Sequence, residues 1–242
     1  MKVEADPLAL GKVICIGDRM NYLRFDISKL EWNQFSFADN SPFDGTLRYF
    51  SSCFVPNRKV YLTGGCFSTN SYASNSVFSI DLWYITEMPT TKSSLLVKRY
   101  GHQSQYLNGN LYVFGGFAHR DLPNEIPLTL SSCEKHSVMD NRWGHAAAMC
   151  ESRAFASSIV LAEKYIYVFG GMHDFNVLDS VEKYDSIEDL WTQIYVTLPS
   201  PLAKMGAVLV DSEAILICGG MSSGFEARSE CYSFRLESSE WK

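Results

Sequence analysis

The chain has 242 residues, and a composition of 46% hydrophobic and 20% charged residues with 15 Phe, 13 Tyr and 5 Trp excludes intrinsic disorder. Its 27 acidic residues outnumber 21 basic ones, and the formal charge of −6 argues against a general nucleic-acid or anionic-membrane binder, whose affinity needs a positive field. No apolar run reaches the roughly 18 to 20 residues of a spanning helix, and the opening MKVEADPLALGKV lacks the apolar region of a signal peptide, so a soluble, cytoplasmic protein is expected.

Read from the start, the chain repeats itself. VICIGD, ending at Asp18, is a degenerate copy of an apolar tetrad followed by two glycines, and Tyr22-LRFDISKLE-Trp32 follows it. A basic residue, Arg48, opens the next stretch. VYLTGG then ends at Gly64-Gly65, and a shortened Val77-FSIDL-Trp83 follows. The order recurs with Arg99, LYVFGG ending at Gly115-Gly116, and Cys133-EKHSVMDNR-Trp143. It recurs again with Arg153, IYVFGG ending at Gly170-Gly171, and Val181-EKYDSIEDL-Trp191. The last copy has Lys204, ILICGG ending at Gly219-Gly220, and Cys231-YSFRLESSE-Trp241. The glycine pairs are spaced by 51, 55 and 49 residues, and half of the chain's 16 glycines lie in them. All five tryptophans occupy one repeat position.

Between these motifs stand short apolar segments and polar turns such as Asn108-Gly109-Asn110, the pattern of antiparallel strands. A unit of about 50 residues cannot cover its own apolar faces, so neighbouring units must stack. Radial stacking of small twisted sheets achieves this with few exposed edges. The glycine pairs suit corners where backbones approach closely. The seven cysteines (15, 53, 66, 133, 150, 218 and 231) are odd in number and lack CxxC spacing, which favours buried free thiols in a reducing compartment.

In its order of basic residue, Gly-Gly strand end and Trp, the sequence resembles the kelch repeat family, over essentially the whole chain. The resemblance implies an all-β, kelch-type β-propeller of about five four-stranded blades, in a single domain over 1–242 with repeats near 1–37, 48–89, 99–149, 153–198 and 204–242. The first copy has Gly17-Asp18 in place of the glycine pair, and the chain stops one residue after Trp241, where an outermost strand is expected to begin. The ring is therefore expected to be incomplete. Either the chain is a piece of a larger kelch protein, with further blades or domains elsewhere, or it is a five-repeat toroid with an open seam.

Connectivity of such a meander places the loop after each glycine pair and the loop entering each basic residue on one face. Arg48, Arg99, Arg153 and Lys204 are expected to form a basic annulus around the axis there, able to take an acidic peptide or carboxylate; the resemblance to BTB-kelch adaptors implies a comparable pocket. The other reading makes each a repeat-consensus residue paired locally. Phe67, Tyr72, Phe117, His119, Arg120, His173, Phe175, Phe225 and Arg228 are loop candidates for anchoring a partner. The five histidines show no metal-ligand spacing, His102 and His136 read as structural, and no phosphate-binding or nucleophile motif is present. No cofactor, metal or catalysis is expected. The function expected is a non-catalytic protein-interaction module, with a cytoskeletal scaffold, or more remotely an enzyme with a site at the propeller axis, as alternatives.

Overall fold

A computed structural model describes residues 12–16, 21–26, 31–36, 47–57, 59–67, 72–81, 89–119, 126–210, 214–235 and 240–242. Every named element among them is a strand. Among the described residues blade 1 has three strands, Lys12–Ile16, Asn21–Asp26 and Glu31–Ser36. Blade 2 contains Ser51–Val55, Lys59–Thr63, Val77–Asp81 and Thr90–Thr91. Blade 3 contains Gln103–Leu107, Asn110–Phe114, Cys133–Ser137 and Arg142–Ala146. Blade 4 contains Ser157–Leu161, Tyr165–Phe169, Val181–Asp185 and Leu190–Ile194. Blade 5 contains Gly206–Leu209, Ala214–Cys218, Cys231–Arg235 and Glu240–Trp241. In each sheet the strands pair antiparallel in chain order, giving the propeller meander.

The first strands of blades 2 to 5 lie side by side in sequence and form the inner wall. Polar side chains join them there: Ser51 Oγ meets Ser104 Oγ at 2.8 Å, and Gln105 Nε2 donates to Ser158 O at 2.9 Å. Apolar side chains fill the wedges between blades. Cys53, Val55, Tyr61 and Val77 of blade 2 pack with Leu111 and Val113 of blade 3. Tyr112, Phe114 and Cys133 of blade 3 pack with Ile166, Val168, Tyr184 and Trp191 of blade 4. Ile159, Phe169 and Val181 of blade 4 pack with Ile215, Ile217 and Phe234 of blade 5. Strand alternation makes this possible, because successive side chains of one strand serve opposite wedges.

The tryptophan position is a cross-strand pair. Trp143, Trp191 and Trp241 sit opposite His136, Tyr184 and Phe234, and in blade 1 Trp32 sits opposite Phe25. Each of these tryptophans is therefore the second residue of its blade's last strand. That corrects the expectation that the outermost strand begins after Trp241: it has already begun, because the indole must reach a ring on the neighbouring strand. Trp83 lies outside the described residues, and Thr90–Thr91 forms the outer strand of blade 2. Trp191 is buried, 5.0 Å from Tyr184 and 5.2 Å from Phe114 of the preceding blade, measured between ring centres. Trp191→Ala should lower stability by about 3 to 5 kcal/mol, read from the midpoint of a denaturant titration.

Glycine pairs make the corners. Gly65 N donates to Arg99 O at 2.8 Å, Gly116 N to Arg153 O at 2.9 Å and Gly171 N to Leu202 O at 2.8 Å, each bond crossing to the next blade. Both residues of each pair have positive φ, and a Cβ on Gly115 would collide with the Arg153 carbonyl. Only glycine satisfies both conditions.

Candidate functional site

The backbone register at the corners decides which residues are equivalent from blade to blade. Arg48 pairs with Cys66, Tyr100 with Phe117, Ala154 with Met172 and Ala203 with Met221, each partner directly following a glycine pair. The residues before them are therefore equivalent: Leu47, Arg99, Arg153 and Leu202. Arg48 is displaced by one position from this set and Lys204 by two.

Arg99 and Arg153 are 0% and 1% exposed. Arg99 Nη1 donates to Gly115 O (2.8 Å) and Ser132 O (3.0 Å), and Nη2 meets Glu134 Oε1 at 2.7 Å. The Glu134 carboxylate also accepts from the Leu96 and Val97 amides of the connector between blades. Arg153 repeats the arrangement, with Gly170 O, Ser180 O and Glu182 Oε1 (2.6 Å), while Glu182 accepts from the Cys150 and Glu151 amides. Each arginine is a clip joining corner, third strand and connector. The expected annulus of four is thus corrected for these two members, whose guanidiniums are spent on buried carboxylates and carbonyls. Burial pulls the Arg99 guanidinium below its ordinary value while the Glu134 charge opposes that shift, and an arginine so paired stays charged.

Blades 2 and 5 replace the clip with apolar groups. Leu47 and Phe78 are buried at the two positions in blade 2, and Leu202 packs in one cluster with Tyr232 in blade 5.

Two residues past the clip position, the chain turns with positive φ in blades 2 to 5, at Tyr49 (54°), Gly101 (63°), Phe155 (51°) and Lys204 (56°). Their backbones form a relay from blade to blade: Gly101 N donates to Tyr49 O (2.8 Å), Phe155 N to Gly101 O (2.7 Å) and Lys204 N to Phe155 O (2.7 Å). These residues surround the mouth of the axis, where a cavity of about 270 Å³ is lined by Tyr49, Gly101, His102, Phe155, Lys204 and Met205. Tyr49 is 50% exposed, and its ring lies edge-on to Phe155 at 5.4 Å. The Lys204 ammonium stands 4.7 Å from the Phe155 ring centre and 6.0 Å from that of Tyr49. From this mouth an aromatic chain runs across the face: Tyr49 to Tyr100 (6.3 Å), Tyr100 to His119 (5.3 Å) and His119 to Tyr72 (6.1 Å), with Phe117 against Tyr100 at 5.6 Å.

Of the loop candidates, Tyr72 and His119 therefore belong to one surface. Phe117 itself is buried beneath it. Arg120 lies outside the described residues. His173 Nδ1 meets Ser152 Oγ at 2.9 Å, Phe175 is 67% exposed on the turn beyond it, and Arg228 lies between Glu226 (3.6 Å) and Glu230 (3.9 Å). Tyr49 and Phe155 escaped sequence reasoning because the repeat alignment fixed on the basic residues beside them. His102 is buried and bonded through Nε2 to Thr63 Oγ1 of blade 2 at 2.8 Å. No group of three or more His, Cys, Asp or Glu among the described residues could hold a metal ion, and no helix among them is long and apolar enough to cross a membrane.

Residues 50–242 match the family model described as the KLHDC2/KLHL20/DRC7 Kelch-repeats domain. The chain belongs to the kelch-repeat family. Kelch-like protein 25 of Xenopus tropicalis is 28% identical over 243 residues, 98% of this chain and 39% of that protein. Its counterpart in Homo sapiens is 33% identical over 187 residues, 76% of this chain and 30% of that protein. Beta-scruin of Limulus polyphemus is 28% identical over 139 residues, 57% of this chain and 15% of that protein. The chain thus spans well under half the length of these relatives.

Two outcomes test the kelch clip and its surroundings. Arg153→Met leaves Glu182 buried without its countercharge and should cost about 3 to 5 kcal/mol in denaturant titrations, whereas Arg48→Met, at an exposed position, should cost about 1 or less. Burial, reinforced by the Arg99 charge, holds His102 well below its ordinary 6.5, so it is neutral in the fold. The unfolded chain gains a proton near that pH which the folded chain refuses, so stability is full above about pH 6.5 and falls below it. His119 and His136, both lowered chiefly by burial, act in the same direction. His102→Ala, matching Ala156 of the next blade, should flatten the fall in unfolding free energy between about pH 7 and 5.

Proposed function

We propose that this kelch propeller is a protein-interaction module that takes an acidic, aromatic-compatible segment of a partner protein into the axial mouth. The observation that carries this reading is the Lys204 ammonium set over the Phe155 and Tyr49 rings at the rim of a cavity. Rings and a cation held on a rigid backbone relay lose little freedom on binding, which favours affinity. A cavity of this size, near the lower limit of small ligand sites, fits one or two side chains better than a folded domain. The aromatic chain from Tyr49 to Tyr72 supplies the flat surface on which the rest of a peptide would lie. Catalysis has no part in this reading, and cytoplasmic placement is the companion proposal.

Apolar side chains exposed outside the axial mouth, Met139 (95%) and Ile187 (71%) in the turns of the opposite face and Tyr195 (106%) just past the outer strand of blade 4, favour a second reading as a filament scaffold contacting its partner through blade edges and turns. A panel of fluorescent acidic peptides separates the two. Lys204→Glu and Tyr49→Ala should each weaken peptide binding by about tenfold or more without lowering thermal stability comparably, and added salt should weaken the wild type. Affinities unmoved by Lys204→Glu would refute the axial reading; filament cosedimentation spared by both variants would support the scaffold.

A further inference from the structure

Blade 5 carries two thiols where its neighbours carry buried packing. Cys218 and Cys231 sit directly opposite one another on adjacent strands. The equivalent pairs are Thr63 and Val77, Phe114 and Cys133, and Phe169 and Val181, all of them 2% exposed or less. Cys218 is half-buried and Cys231 exposed.

The pairing type matters. Gly219 N donates to Glu230 O at 2.9 Å, so Cys218 and Cys231 occupy a non-hydrogen-bonded site of the ladder. There the Cα atoms of an antiparallel pair lie about 4.5 Å apart with side chains on the same face, inside the range of about 4.4 to 6.8 Å that a disulfide spans. The Cys231 thiol across the ladder raises the Cys218 thiol above its ordinary value. The register therefore sets the two thiols face to face at the backbone spacing a disulfide needs. By contrast, burial pushes the Cys53 and Cys133 thiols up to about 12 and removes them from reagents.

We propose that Cys218 and Cys231 form an oxidisable dithiol, converted by a low-molecular-weight disulfide of the glutathione class into a cross-strand disulfide that staples the base of the loop 219–230. One cysteine thiolate attacks the small disulfide, forming a mixed disulfide and releasing one small thiol. The second cysteine thiolate attacks the protein-side sulfur, forming the Cys218–Cys231 bond and releasing the other thiol. In sum two protein thiols lose two protons and two electrons, and one small disulfide becomes two thiols. The staple closes the loop that carries Phe225 and Arg228, held so far by the Met221 to Ala227 bridge and the Arg228 N to Gly220 O bond.

The test exposes the whole chain to glutathione disulfide, followed by peptide mass spectrometry and amide hydrogen exchange. A crosslinked pair of peptides containing Cys218 and Cys231, short of two hydrogens, is expected, with Cys53 and Cys133 unmodified and exchange at amides 221–230 slowed severalfold. Cys231→Ser and Cys218→Ser should each stop at a glutathione adduct on the remaining cysteine. Wild-type protein that stops at such an adduct, leaves both thiols untouched, or forms the crosslink with no slowing of the loop overturns the proposal.

Discussion

One amide-to-carbonyl bond per corner holds the propeller together. The second glycine of each pair in blades 2, 3 and 4 gives its N–H to the next blade, at Arg99, Arg153 or Leu202. Everything on the loop-rich face hangs from those three points. The bond fixes the accepting residue, which places the left-handed turn two positions later, the start of the next inner strand two positions beyond that, and hence the lining of the axial mouth. A side chain at the corner would push the carbonyl away. The apolar wedges contribute more area, but apolar contact is non-directional and would accept a slipped blade; the corner bond would not.

The same corner is braced in two chemically opposite ways. Blades 3 and 4 use a buried ion pair whose carboxylate also caps two connector amides, while blades 2 and 5 put apolar residues at both positions. A buried pair of this kind adds little net stability over apolar packing, because desolvation offsets much of the attraction. What it adds is direction: a guanidinium fork accepts only certain placements of the two carbonyls and the carboxylate around it.

Glycine pairs and tryptophans made the sheets and their order legible in the sequence, because each answers to a local demand, a backbone angle or a ring-sized wedge. The loop-rich face was legible from connectivity alone. The axial residues were not. Aligning Arg48 and Lys204 with Arg99 and Arg153 put the emphasis on charge, whereas the structure aligns Leu47 and Leu202 with those arginines through backbone bonds that no side chain announces. A signal did exist. Glu134 and Glu182 follow the residue opening the third strand in the two repeats that hold a true clip, and Phe78 and Tyr232 take that place in the other two. Reading acid and base together as a covarying pair within the chain would have separated the structural arginines from the exposed basic residues.

The relay around the mouth has a consequence for how such a surface can change. Tyr, Gly, Phe and Lys occupy four superposable turns whose shape is dictated by main-chain bonds, so the frame is indifferent to what each turn displays. A socket built this way can be relined one position at a time, trading charge for bulk or bulk for emptiness, while its rim keeps the same outline. Diversity of ligands and constancy of scaffold then stem from a single cause.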